Sequence, residues 1–215
     1  MLKRLGLGLR TLGRHDEAAQ QLKASLAAWS ELGDRRGRTE AQDALGVVYL
    51  SCDRTVEAVE QFDDVLASYR ELDDERGVGL TLINLALALP RLGRTALALR
   101  HIREARAIFD RVKDVDPYNG ARVLVVMAQL QCATDDLPAA RELATAGLQE
   151  MRQLGSQFGE AEAHEVLAEV ELRRGDLDAA RTHLDSALTT FAALRSPRAT
   201  ELRSGLWARM HPGGT

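Results

Sequence analysis

One alanine recurs along this chain at near-constant spacing: Ala18, Ala58, Ala98, Ala140 and Ala180, at intervals of 40, 40, 42 and 40 residues. Twelve residues before each stands another small residue, at Gly6, Gly46, Ala86, Ala128 and Ala168. Each of these follows a large apolar one: Leu5, Leu45, Leu85, Met127 or Leu167. Self-similarity at such a period is the mark of stacked repeats rather than of one globular core. Counting from the alanine, positions +4, +7, +8, +11 and +14 are largely apolar and share one face at helical period. Position +11 holds Trp29, Tyr69, Phe109, Met151 and Phe191; position +14 holds Leu32, Leu72, Val112, Leu154 and Leu194. Small residues on two successive helices let the backbones approach where they cross. A bulkier side chain there overpacks the contact at a cost of about 1–3 kcal/mol.

Helix starts repeat as well. Asp34, Asp74, Asp116, Ser156 and Ser196 are all good N-cap residues, worth ~1 kcal/mol each. Pro117 and Pro197 follow two of them at the first helical position, where proline is favoured. Three residues after the caps stand Gly37, Gly77, Asn119, Gly159 and Ala199, whose small size predicts close packing of the first turn on the preceding helix. Between the helices of each unit lie Gly13-Arg14, Asp53-Arg54, Gly93-Arg94, Asp135-Asp136 and Gly175-Asp176, where Gly ends one helix and Asp can cap the next. These signals predict helices over 1–12, 15–32, 35–51, 54–72, 75–91, 95–113, 117–132, 136–154, 157–174, 177–194 and 197–210. Pro90 predicts a kink or early stop in the fifth, because proline removes an intrahelical hydrogen bond. The two extra residues of the 42-residue interval fall in the loop at Asp114 and Val115, where an insertion is cheap.

The alphabet suits this reading: 45% hydrophobic, 28% charged and only five prolines in 215 residues. A net charge of -4 with both signs interspersed argues against a nucleic-acid surface, which needs concentrated positive charge. No apolar run is long enough for a membrane span, and no signal-peptide core follows Lys3 and Arg4. Cys52 and Cys132 fall in different repeats and read as reduced thiols, which places the chain in the cytoplasm.

No catalytic constellation is visible. His15, His101, His164, His183 and His211 are scattered, without metal-ligand spacing to a Cys or carboxylate in a recognised motif. There is no phosphate-binding glycine loop and no nucleophile elbow. The expectation is a non-enzymatic chain with no cofactor and no metal.

A small residue at the eighth position of the first helix with alanine twelve residues on resembles the tetratricopeptide repeat, over essentially the whole chain. Leu45, Gly46, Tyr49, Ala58 and Phe62 match that pattern one by one. The resemblance implies an all-α, right-handed solenoid as a single array over 1–210. Its repeats fall at about 1–33, 34–73, 74–115, 116–155 and 156–195, with a capping helix over 196–210 and a disordered tail over 211–215. Leu5 and Gly6 lack an upstream partner, so either the first repeat is frayed or a longer protein precedes it; the one-sided last helix reads as a genuine end. The long second helix and linkers such as 31–37 and 71–77 are similar to the C-terminal arrays of actinobacterial SARP-type and NB-ARC (STAND) transcriptional regulators.

By the same resemblance, the second, fifth, ninth, twelfth and thirteenth positions of each first helix face a concave groove. They supply the partner-binding candidates Asp43, Val47, Leu80, Ile83, Leu87, Arg122, Val125, Gln129, Glu162, Glu165, Glu169 and Arg173. Lys3, Leu7, Arg10, Glu40, Leu50, Arg91 and Cys132 occupy further such positions. The stripe Leu80, Ile83, Leu87 has two readings, burial against a neighbouring helix or a partner-facing patch. The run Glu160, Glu162, Glu165, Glu169, Glu171 reads as a solvated face or as a surface for a basic segment. The carboxylate clamp of chaperone-binding relatives is not reproduced: its fifth positions read Lys3, Asp43, Ile83, Val125 and Glu165, and Asn84 is the only matching Asn. The implied function is protein–protein interaction, as the sensor or assembly segment of a larger transcriptional regulator, with a protein or peptide in the groove. No direct nucleic-acid contact and no membrane are expected. Alternatives are a receptor for a peptide signal or small molecule, and self-association through the apolar edge at Leu2, Leu5 and Leu9.

Overall fold

Side chains open most of the helices. In the computed structural model, which describes residues 14–112 and 115–210, Asp34 and Asp74 accept from the backbone N–H of Gly37 and Gly77, each at 2.8 Å. Asp116 and Ser156 do the same for Asn119 and Gly159, each at 3.2 Å. Asp136 and Asp176 cap second helices through Ala139 and Ala179 at 3.3 and 3.0 Å. At Ser196 the expectation shifts: its hydroxyl accepts from Arg198, two residues on, and the helix starts at Arg198 with Pro197 before it.

The helices are α1 (His15–Glu31), α2 (Arg35–Ser51), α3 (Thr55–Glu71), α4 (Glu75–Ala88), α5 (Thr95–Arg111), α6 (Pro117–Ala133), α7 (Leu137–Gln153), α8 (Gln157–Arg174) and α9 (Leu177–Ala193). A last helical segment follows, as α10 (Arg198–Leu202), a π-helical turn (Arg203–Trp207) and α11 (Ala208–Met210). The first predicted helix and the tail at 211–215 lie outside the described residues. Proline acts as expected: α4 stops at Ala88, and Leu89–Leu92 around Pro90 form a 3-10 turn.

The ends follow one device. A left-handed residue closes each described hairpin turn: Gly33, Asp53, Asp73, Gly93, Asp135, Gly155, Gly175 and Arg195. The next residue's N–H then reaches the carbonyl five positions back, as from Asp34 to Trp29 at 3.0 Å and from Arg54 to Tyr49 at 2.9 Å. This pairing uses carbonyls that the helix end leaves without partners. Half of these positions are Asp or Arg, where the left-handed backbone costs roughly 1–2 kcal/mol relative to glycine.

The chain divides into two units, Met1–Ile108 and Phe109–Thr215, the boundary falling inside α5. In the first, α1 packs on α2, α2 on α3 and α3 on α4, and α2 also touches α4. In the second, α6 packs on α7, α7 on α8 and α8 on α9; α6 also touches α8, and α9 supports the last segment. Each unit is therefore a stack of helical hairpins whose first helices are neighbours.

The recurring small residues hold these crossings. Ala18, Ala58, Ala98, Ala140 and Ala180 are fully buried, as are Ala86, Ala128 and Ala168. Large side chains of the preceding or facing helix fill the space: a Cβ on Gly77 would sit 2.5 Å from the Tyr69 ring, and one on Gly46 2.6 Å from the Phe62 ring. Gly37 meets Trp29, and Gly159 meets Met151, in the same way. Position +14 corrects the sequence reading. Leu32 is 73% exposed, and Leu154 and Leu194 are also exposed. The second helices end at +13, so Leu32, Leu72, Leu154 and Leu194 are C-cap residues that leave the helix before its apolar face comes round again.

Candidate binding cleft of the second unit

The first helices carry the predicted groove positions, and burial sorts them. Ile83 and Val125 correct the expectation of partner-facing side chains: they are 0% and 3% exposed. Val125 packs among Ala144, Leu148, Ala163 and Val166, with its Cγ2 at 2.9 Å from where a Cβ on Gly147 would stand. Asp43 and Glu165 hold the same fifth position and stay half-buried. An apolar residue there is drawn between helices, and a charged one is held at the surface by the cost of desolvation. Leu80 and Leu87 are half-buried, so the stripe is split, with Ile83 in the core and its neighbours at the edge.

In the first unit, Val47, Leu80 and Leu87 are each half-buried, and the Asp43 carboxylate accepts from Asn84 Nδ2 at 3.3 Å. Arg91 reaches back across the repeat to the Leu50 carbonyl at 3.1 Å and to Asp53 at 3.4 Å. Arg173 makes the equivalent bridge in the second unit, to the Cys132 carbonyl and to Asp135 at 2.9 Å. Both arginines thus supply donors to carbonyls at the end of the previous first helix.

In the second unit the structure brings four predicted residues together. Gln129 from α6 and Glu165, Glu169 and Arg173 from α8 line an open cleft of about 440 Å³. Its other wall is the last helical segment, with Arg198, Leu202, Gly205, Leu206 and Arg209. Val166, Leu202 and Leu206 give it an apolar floor, and Cys132 and Ala133 complete one end. Gly205 is exposed, with nothing within 4 Å of where its Cβ would stand.

The glutamate run is neither bare nor simply solvated. Arg198 bonds Glu165 at 2.7 Å and approaches Glu162 at 3.5 Å. Arg209 bonds Glu169, its Nη1 lying 3.2 Å from Oε1. Glu160 approaches Arg152 at 3.5 Å. Glu171 is only 2% exposed and corrects the reading of a solvated face: it is held by Arg141 at 2.6 Å and Arg174 at 3.1 Å. Burial pushes the Glu162 carboxyl above its usual range, against the pull of Arg198 and Arg122. Burial also pushes the Cys132 thiol up, with Arg173 opposing, which disfavours the nucleophilic thiolate.

Sequence reading gave Arg198, Leu202, Gly205, Leu206 and Arg209 no binding role, because the last helix lies outside the repeated groove positions. Among the described residues no group of three or more His, Cys, Asp or Glu can hold a metal ion, and no helix is long and apolar enough to cross a membrane. The cleft offers shape, an apolar floor and a rim of paired charges.

Comparison with known proteins bears on the fold. Two family models, each described as tetratricopeptide repeat, match residues 1–71 and residues 79–104 and 161–186, together more than half of the chain. No curated protein matches by sequence. Among solved structures, BtubC (BKLC) from P. vanneervenii is similar at a TM-score of 0.70 and 21% identity, over 90% of this chain and 80% of that one. TTC0263, a thermophilic TPR protein in Thermus thermophilus, aligns at 0.66 and 20% identity over 96% of each chain. Rap protein complexed with Competence and Sporulation Factor aligns at 0.70 and 14% identity, over 98% of this chain and 62% of that one. At these identities the likeness is one of fold. Period, paired helices, family models and solved folds agree that this chain is a tetratricopeptide-repeat protein, whose described residues are packed helical hairpins in each unit and a further helical segment.

Proposed function

We propose that this chain is a non-enzymatic interaction module that holds a protein or peptide segment in the cleft of its second unit. The observation that carries this reading is the cleft itself: an apolar floor inside a charged rim, built largely from positions that differ between repeats. Repeat-wide residues such as Ala140 and Ala180 are consumed by packing, whereas Gln129, Glu165 and Glu169 are not. A rigid helical wall gives specificity without ordering cost. The Rap structure, with Competence and Sporulation Factor bound, is a chain of similar fold that holds a factor. The partner segment presents an apolar side chain to Val166, Leu202 and Leu206 and polar groups to the rim.

Within that reading, the chain is the sensor or assembly segment of a larger transcriptional regulator. Its linkers at 31–37 and 71–77 and its 40-residue period support this. Two measurements check the proposal. Random peptides displayed on phage and selected on the immobilised chain should perturb amide resonances of Gln129, Val166 and Leu202; empty selections, or shifts confined to other helices, contradict it. The reading frame upstream should encode a winged-helix or ATPase domain, and a short isolated frame contradicts the regulator role.

A second reading is favoured by the cleft volume, which lies within the roughly 300–1,000 Å³ of small-molecule sites. In that case thermal-shift screening against metabolites raises the melting temperature by mass action while peptide selections stay empty.

A further inference from the structure

On the opposite side of α8 from the cleft, three side chains from three helices form a chain of contacts. Arg152 of α7 places Nη2 at 3.3 Å from Nε2 of His164 on α8. Nδ1 of His164 lies 2.9 Å from Nδ1 of His183 on α9, the two rings tilted by 38° with centroids 5.1 Å apart.

The donors and acceptors of these groups admit one arrangement of protons. A guanidinium only donates, so His164 Nε2 must be the accepting nitrogen. A neutral imidazole has one donor and one acceptor, so the His164 proton sits on Nδ1 and is donated to His183 Nδ1. His183 then carries its own proton on Nε2. A further proton has nowhere to go. On His164 Nε2 it would point at Arg152, and on His183 Nδ1 it would point at the His164 N–H.

We propose that Arg152, His164 and His183 form a proton-sensitive latch across α7, α8 and α9, closed while both imidazoles are neutral and opened by a single added proton. The charges around it act in both senses, and burial decides. Arg152 faces His164 and is itself approached by Glu160 of α8 at 3.5 Å. Near His183 stand Arg141 of α7, which opposes protonation, and Glu171 of α8, which favours it. Glu171 is already committed to Arg141 and Arg174. Asp185 of α9 lines the shallow outer groove beside His164, together with Glu160. Burial, then His183 and Arg152, push His164 down to about 4, and burial pushes His183 down as well.

The sign follows from linkage. The unfolded imidazoles take up protons below pH about 6.5, and the folded pair does so only at lower pH. Stability therefore falls as pH drops from about 6.5 toward 4, and the closed latch persists above that window. Proton NMR titration of the intact chain tests this. The His164 ring protons should titrate at about 4 and those of His183 below the ordinary value of about 6.5, together with amides of α8 and α9. Thermal melts of a His164→Gln, His183→Gln double variant should show at most half the pH dependence of the original chain across that window. Two imidazoles titrating near 6.5, or an unchanged pH slope in the double variant, overturns the latch. If the variant does not fold, the titration of the unaltered chain decides alone.

Discussion

At the scale of single residues, glycine has opposite meanings at different positions in this chain. Gly77 lies under the Tyr69 ring, where an added Cβ would come within 2.5 Å of ring carbon. Gly205 sits in the last helical segment with open space around it. Alanine gains about 1 kcal/mol of helix propensity at either place, but at Gly77 it meets an aromatic ring packed between helices, an overpacking worth about 1–3 kcal/mol. Gly77→Ala should therefore lower the melting temperature and Gly205→Ala should raise it. Calorimetry on both variants checks the pair, and a shift of the same sign in each contradicts the packing account. The first position was legible in the sequence, because Gly37, Gly77 and Gly159 recur three residues after a cap. The second was not, because Gly205 belongs to no repeat slot.

At the scale of helices, buried charge matters most in α8. Glu171 is enclosed, while its partners Arg141 and Arg174 keep part of their surface in water, at 58% and 40% side-chain exposure. Glu171→Gln removes the charge and turns a buried amide NH2, which can only donate, toward two guanidinium donors, so it should cost about 1–3 kcal/mol. Arg141→Ala should cost about 1 kcal/mol or less, because Arg174 still holds Glu171 and the lost partner was half solvated. Urea unfolding of the two variants checks this ranking, and equal losses or the reverse order contradict it. Helix ends were legible because caps, left-handed turn residues and Pro90 are local signals. The pairing of Glu162, Glu165 and Glu169 with Arg198 and Arg209 was not, because residues about 33 to 40 positions apart become neighbours only once hairpins stack. The same limit hid the meeting of His164 and His183, nineteen residues apart across two helices.

At the scale of the whole chain, the repeat period carries the fold, and the exceptions to it carry the candidate site. Alanines at the crossings, aromatics at +11 and caps at each first helix use up the conspicuous residues in packing. Burial then removes Ile83 and Val125 from the groove candidates and leaves Gln129, Glu165, Glu169 and Arg173 around one cleft. The fold was legible because each hairpin repeats its own instructions. The site was legible only in part, since one wall comes from a segment outside the repeat pattern. The most direct test of the binding account is titration calorimetry of a cleft-selected peptide against the chain and against Gly205→Trp. Tryptophan at this open position fills the cleft while the buried side chains around it stay in place. The account predicts at least a tenfold loss of affinity with an unchanged circular dichroism spectrum. Equal affinity for both proteins would contradict it.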